Sequence, residues 1–289
     1  VTLQLEVLFD AESTEVVSDG RALPPSSALA PFYGGSLRFP LRDDRPTIVA
    51  NFVSTLDGVV SFGDPGASGG SAVSGGSRED HRLMGVLRTM ADAVMVGAGT
   101  VRRARNEEWT PRDIDSELAV EHARVRRQLR LAAQPTTVVV TASGEIDRKQ
   151  RGLASADVPV LVATTTAGAR ALGRTSADER MRVALIGDGD VGAAPLLTEL
   201  NRAGARLVVC EGGPHLLGGL MRAGLVDELF LTVAPQVAGR ALDRHRLGLV
   251  EAEAFGVTDA PWSTLVSVRR AGSHLFLRYR FAAPTEENA

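Results

Sequence analysis

This 289-residue sequence contains a single cysteine, Cys210. One thiol cannot close an internal disulfide or hold a zinc ion alone, and its neighbours Leu207-Val208-Val209 mark it as a small buried hydrophobe. No stretch approaches the ~18 uninterrupted apolar residues of a membrane span, and the opening VTLQLEVLFDAE has neither the basic region nor the apolar run of a secretory signal. A cytoplasmic location without membrane contact is expected. A net charge of −3 provides no broad positive field for a polyanion, which argues against nucleic acid as a partner. His81, His122, His215, His245 and His274 lack metal-ligand spacing, so no metal site is expected. There is no G-x-S-x-G elbow and no internal repeat. The densest basic stretch, Arg124, Arg126, Arg127 and Arg130, coincides with helical spacing of Leu118, Val125, Leu129 and Ala132, and reads as a solvated helix face.

With 44% hydrophobic and 23% charged residues, the chain has material for an extensive core and no bias toward disorder. Residues 1–45, with Pro24-Pro25 and Gly34-Gly35 among scattered apolar positions, read as an irregular arm. Residues 46–283 read as one domain and residues 284–289 as a tail. Within the domain, short apolar runs alternate with helical segments, the pattern of a parallel sheet covered by helices. The strands are expected at Thr47–Val53, Ala93–Val96, Thr136–Val140, Val158–Ala163, Arg182–Ile186, Arg206–Cys210 and Glu228–Val233. Helices are expected after the capping pattern Ser77-Arg78-Glu79-Asp80, from Pro195 and from Pro214. Trp262–Val268 and Leu275–Phe281 form a hairpin, and Gly63–Gly76 reads as a mobile loop. The expected fold is α/β: a mostly parallel central sheet flanked by helices, with a C-terminal antiparallel hairpin.

Two strands run into glycine clusters that open helices, where backbone N–H groups and the helix dipole can receive phosphate. One is Val96-Gly97-Ala98-Gly99-Thr100-Val101; the other is Cys210-Glu211-Gly212-Gly213-Pro214. Both lie at carboxyl ends of strands, the side on which open α/β sheets bind ligands, and a pyrophosphate could bridge them. Neither completes G-x-G-x-x-G, which disfavours a standard dinucleotide domain. Thr141, Thr164 and Thr165, at the ends of neighbouring strands, are further cofactor candidates. Asp57 and Glu211 bring carboxylates to the same edge, where each could bind a ring N–H or relay a proton to a C=N bond. Either could equally brace a turn.

As a set, Asn51-Phe52-Val53-Ser54-Thr55-Leu56-Asp57-Gly58, Asp92-Ala93-Val94-Met95-Val96-Gly97-Ala98-Gly99-Thr100-Val101, Glu211-Gly212-Gly213-Pro214 and Gly224-Leu225-Val226-Asp227-Glu228-Leu229 resemble the riboflavin-biosynthesis pyrimidine reductases over residues 45–281. The resemblance implies a dihydrofolate-reductase-like fold and a homodimer. It also implies NADPH-dependent reduction of the ribosylamino side chain of an aminopyrimidine phosphate, a flat small-molecule heterocycle. By motif position it implies cofactor contacts at Thr100, Gly213 and Leu216, with substrate contacts at Ser71, Arg88 and Glu211. It puts Ser54 and Asp57 along the reaction cleft. Where the family follows the threonine with Asp-Asp-Pro and a downstream arginine, this chain reads Val101-Arg102-Arg103-Ala104-Arg105-Asn106-Glu107-Glu108-Trp109. Trp109 is either a stacking face for a pteridine or a loop anchor. The deaminase ligands H-x-E and P-C-x-x-C of bifunctional relatives are absent from residues 1–45. A pteridine or dihydrofolate reductase and a non-catalytic nucleotide-binding protein stay open as alternatives. Thr164-Thr165-Thr166 with Arg170 suggest a seat for a 2′-phosphate and thus NADPH over NADH. The hairpin's exposed edge suggests pairing between two copies.

Overall fold

The computed structural model describes residues 3–14, 20–63, 70–104, 106–173, 181–241 and 246–282. Twelve strands form among them: β1 (Glu6–Asp10), β2 (Arg21–Ala22), β3 (Arg38–Phe39), β4 (Thr47–Ser54), β5 (Ala93–Gly97) and β6 (Thr136–Thr141). They continue with β7 (Val160–Thr165), β8 (Met181–Gly187), β9 (Leu207–Cys210), β10 (Glu228–Val233), β11 (Ser263–Ala271) and β12 (His274–Phe281). The α-helices are α1 (Ala30–Tyr33), α2 (Gly70–Ser74), α3 (Arg78–Met90), α4 (Ala98–Arg103), α5 (Pro111–Ile114) and α6 (Ala119–Gln128). The second half adds α7 (Arg151–Ala154), α8 (Thr166–Leu172), α9 (Ala193–Arg202) and α10 (Pro214–Arg222).

Ten strands make one sheet in the order β1-β11-β12-β10-β4-β9-β5-β6-β7-β8, parallel from β10 to β8 and antiparallel from β1 to β10. The expected fold class, a mostly parallel α/β sheet with an antiparallel C-terminal hairpin, is the one observed. Strand order reverses at β9, which returns between β4 and β5 and carries Glu211-Gly212-Gly213 off its carboxyl end. Such a reversal opens a crevice at the carboxyl edge. Along β4, Ile48 and Ala50 join one apolar layer with Leu217 and Leu220 of α10, while Val49 joins the opposite layer with Val86, Leu87 and Met90 of α3. Burial on both faces is what the continuous apolar runs imply. Cys210 is fully buried, and burial pushes its thiol up to about 12, so it serves as packing.

Three expectations change. Residues 1–45 are more than an irregular arm: β1 pairs with β11, and Leu5, Leu29, Phe32, Tyr33, Leu37 and Phe39 fill the core beside Phe230 and Phe276. Ion pairs fasten this segment, Asp10 to Arg269 at 2.6 Å and Glu12 to Arg278 at 2.8 Å. The hairpin therefore has no free edge, since β1 covers β11 and β12 lies inside the sheet. Finally, the basic stretch is not wholly a solvated face: Arg126 is 1% exposed, and its guanidinium donates to the carbonyls of Arg88, Thr89 and Ala91 at 2.8–3.1 Å. It thereby closes the C-terminus of α3. Of the loop expected at Gly63–Gly76, residues 64–69 lie outside the described residues and Gly70–Ser74 is the short helix α2. Arg105, His245 and the tail 284–289 also lie outside them.

Candidate active site

Two cavities open at the carboxyl edge of β4, β9 and β5. They share Thr100, Arg103, Gly213, Pro214 and Leu247 as common walls. The larger is a groove of about 770 Å³ running from Gly97, Gly99 and Thr100 past Thr141, Ala142 and Ser143, with Gly213, His215 and Leu216 of the second glycine turn opposite. The smaller, about 120 Å³, lies deeper between β4 and α3 and is lined by Asn51, Phe52, Asp80, Met84, Arg88 and Glu211, among others.

Where the two turns meet, glycine is required at Gly212. Gly97 N–H donates to the Gly212 carbonyl at 2.6 Å, which ties the two turns together. Gly212 has φ +92°, and a Cβ there would meet the Phe52 ring at 3.1 Å. A cis peptide joins Gly212 to Gly213. The result is a side-chain-free floor between Thr100 and the start of α10, wide enough for a ligand to approach backbone N–H groups.

In the deep cavity, Arg88 and Glu211 form a two-pronged ion pair, Nε to Oε1 at 2.8 Å and Nη2 to Oε2 at 2.7 Å. Arg88 also donates through Nη1 to the carbonyls of Glu108 and Thr110, both at 3.1 Å. Burial disfavours its charge, but Glu211 more than compensates and holds the guanidinium above its ordinary pKa. Arg88 takes one lone pair on each Glu211 oxygen, which leaves each oxygen further acceptor capacity in a residue that lines the cavity.

The expected site residues divide. Gly97, Gly99, Thr100, Thr141, Gly213 and Leu216 line the groove, and Arg88 and Glu211 line the deep cavity. Gly212 contributes the shared floor. Val101 is fully buried, its carbonyl accepting from Gln150 Nε2, and it lines neither cavity. Thr164 and Thr165 are also fully buried. Thr165 Oγ1 donates to the Ala142 carbonyl at 2.7 Å and accepts from Gly168 N–H at 3.0 Å, so it caps α8. Thr166 donates to Asp188, and Arg170 lies on α8 outside the groove. These residues make no 2′-phosphate seat. The cations that do border the groove are Arg102 and Arg103.

Asp57 is a second correction. Its carboxylate accepts from Thr55 Oγ1 at 2.6 Å and from the N–H groups of Ala238 and Gly239 at 3.0 and 2.7 Å, which holds it well below the usual carboxylate range. It braces one turn against another and lines neither cavity. Ser54 is buried at the end of β4, pairing with β10, and is not part of the lining. Ser71 is exposed on α2 with its hydroxyl 2.9 Å from His81 Nε2; its neighbour Gly70, not Ser71 itself, reaches the deep cavity. Trp109 is 1% exposed, and a Cβ on Gly152 would fall 2.5 Å from its ring. It is the loop anchor, with one edge on the cavity wall.

Asp80, Met84, Asn51 and Phe52 enter the site unforeseen. The first two were findable: Asp80, Met84 and Arg88 stand four residues apart on one face of α3, below the glycine turns. Among the described residues no cluster of His, Cys, Asp and Glu could hold a metal ion, and no helix is long and apolar enough to cross a membrane.

A 2,5-diamino-6-ribosylamino-4(3H)-pyrimidinone 5′-phosphate reductase from Archaeoglobus fulgidus is 28% identical to this chain over 205 residues, 68% of this chain and 83% of the relative. The enzyme of the same name from Methanothermobacter thermautotrophicus is 27% identical over 81% of this chain and 98% of its own length. The crystal structure of a pyrimidine reductase-like protein from Corynebacterium diphtheriae superposes with a TM-score of 0.60 at 19% identity, covering 83% of this chain and 93% of that one, which supports the fold. The model of the RibD C-terminal domain matches residues 46–274, a span holding the sheet reversal, both glycine turns and the Arg88–Glu211 pair. The chain belongs to the RibD C-terminal domain family.

Proposed function

We propose that this protein reduces the ribosylamino side chain of an aminopyrimidine phosphate, using NADPH as the reductant. The observation that carries the reading is the junction of the two cavities at Thr100 and Gly213, where a dinucleotide-sized groove opens onto a small polar chamber. The groove's volume falls in the range of cofactor and ligand sites. The glycine floor leaves room for a flat ring against backbone, and the N-terminus of α10 with Thr100 and Ser143 offers donors to a pyrophosphate. Bound NADPH supplies hydride to the carbon being reduced. Arg102 at the groove rim is the candidate cation for the 2′-phosphate. In the chamber, Glu211 accepts from heterocycle N–H groups while Arg88 fixes its carboxylate, and Phe52 and Met84 exclude water from the reacting bond.

The relatives named above are reductases of such a pyrimidine phosphate. Loss of nicotinamide absorbance on adding the 2,5-diamino-6-ribosylamino-pyrimidinone phosphate, with the ribityl compound as product, is the expected result. NADPH that binds but is never oxidised by the pyrimidine, or is oxidised by dihydrofolate instead, contradicts it. A homodimer is also inferred, from the family resemblance and from Val7, Leu8 and Phe9 exposed on the edge strand β1. Light scattering at the 30.5 kDa monomer mass would refute this.

A further inference from the structure

Three carboxyl groups line the deep cavity, Asp80, Glu107 and Glu211, and the two buried ones stand in opposed circumstances. Glu211 is locked to Arg88, whereas Asp80 has no cationic side chain within salt-bridge distance among the described residues. Asp80 sits in the first turn of α3, where the sequence motif calls for a carboxylate that reaches back to the cap. That job is already done without it. Ser77 Oγ accepts from Asp80 N–H at 3.2 Å, and Ser77 N–H donates to the Ser74 carbonyl at 3.3 Å. Asp80 instead lines the cavity, 5% exposed, and its buried Oδ2 makes no hydrogen bond of good geometry, with only the Thr232 and Ser74 hydroxyls close enough to act on the carboxyl. A buried oxygen without a partner is costly unless a ligand or a proton meets it.

The surroundings favour the neutral acid. Burial raises the Asp80 pKa above its ordinary value, and the offsets from the Thr232 hydroxyl, His81, His274 and the Ser74 hydroxyl do not cancel it. The other charged groups on the cavity wall are Arg88, Arg103, Glu107 and Glu211. Glu107, which burial also shifts upward, is exposed to solvent, so of the buried carboxyls Glu211 is the charged partner of Arg88 and Asp80 is left as the proton carrier.

We propose that Asp80 is the catalytic acid of this site, giving its proton to the nitrogen of the substrate's C=N bond as the adjoining carbon is reduced. The inference rests on the reductase reading above, with the ribosylamino group reacting in its open imine form. The carbon gains hydride from the reduced nicotinamide, the π pair of C=N moves onto nitrogen, and that pair takes the Asp80 proton. A C–H and an N–H bond form, the nicotinamide leaves oxidised, and Asp80 is left as a carboxylate that solvent reprotonates before the next turnover. This assigns to Asp80 the proton relay that the sequence suggested for Asp57 or Glu211, both of which are held by other partners.

Asp80→Asn preserves shape and removes the proton. Infrared spectroscopy is expected to show, at neutral pH, the carbonyl stretch of a protonated carboxylic acid in the wild type that is missing from the variant, a readout needing no substrate. Thermal unfolding gives a second. A raised folded pKa means that wild-type stability falls as pH rises from the unfolded value of about 3.9 through the folded one, so the variant gains on the wild type across that window. With the pyrimidine phosphate, kcat/KM should fall by about 10²- to 10⁴-fold while the NADPH dissociation constant is unchanged. The wild-type loss of kcat at alkaline pH should disappear in the variant. Absence of the infrared difference overturns the proposal whatever the substrate. So does a variant that turns the pyrimidine over as fast as an active wild type. A wild type that never turns it over sinks the reductase reading, and the proton-donor role with it.

Discussion

Glu211→Gln separates the structural work of this carboxylate from its chemical work. Arg88 and Glu211 are 2% and 7% exposed at their side chains and share two hydrogen bonds of 2.7–2.8 Å. Removing one charge of a buried pair costs about 3–5 kcal/mol, because the other is left uncompensated. Here Arg88 keeps the Glu108 and Thr110 carbonyls and glutamine keeps one acceptor, so the lower end, about 3 kcal/mol, is expected. With Glu211 neutral, burial is left to lower the Arg88 pKa, but from so high an ordinary value that the guanidinium keeps its proton at neutral pH. For a domain of this size the melting temperature should drop by about 6–12 °C. Loss of the charge-assisted bonds to substrate N–H groups should lower kcat/KM by a further tenfold to hundredfold in protein that is still folded. Calorimetric unfolding and steady-state kinetics measure the two. The double variant Arg88→Met with Glu211→Leu should recover much of the stability, since no lone charge remains, and none of the activity. A Glu211→Gln protein that melts with the wild type, or a double variant that loses the sum of the two single losses, would refute the reasoning.

Thr100 lies on the wall common to both cavities. Thr100→Ala should weaken NADPH by roughly tenfold, the worth of one hydrogen bond, without moving the melting temperature, and titration calorimetry checks it. Arg102→Ala should weaken NADPH by about fivefold to tenfold and leave NADH alone; equal losses for both would remove Arg102 from the 2′-phosphate. Asp57→Asn should retain turnover, because that carboxylate braces a turn outside the cavities. Its depressed pKa means that its contribution to stability is present above the ordinary carboxylate range and is lost as pH falls through the folded value. The variant's melting temperature should accordingly fall less steeply in acid, and a collapse of kcat would restore Asp57 to the chemistry.

Sheet and helices were legible because their signals are local and repeated. The β4, β5, β6 and β10 segments are each built around a short apolar run, and α10 is framed by Pro214 and Gly224. The glycine turns were legible as a cradle since two clusters at one sheet edge have few other uses. What escaped depends on long-range burial. Arg126 reads as one cation in a basic run, and only the fold reveals that its stem passes under α3 to reach three carbonyls. Thr164 and Thr165 sit at a strand end like a phosphate site, yet Gly168 and Ala142 pack so closely that their hydroxyls turn inward. Asp80 carries a capping signature, and the cap is satisfied by Ser77 alone, which frees the carboxyl for the cavity. The strand β1 was hidden among prolines and glycines that follow it, and it gains its order from β11, about 260 residues downstream.

The central claim is that the groove and the deep cavity meet so that a nicotinamide and an aminopyrimidine react across Thr100 and Gly213. Single-turnover reaction with NADPH bearing deuterium at the transferable position, followed by mass spectrometry of the product, tests this most directly. The account predicts a ribityl pyrimidine phosphate that has gained one deuterium at the sugar carbon bonded to nitrogen, with that transfer slowed in Glu211→Gln and Asp80→Asn but not in Asp57→Asn. An unlabelled product, or label appearing only in a reduced pteridine, would contradict it.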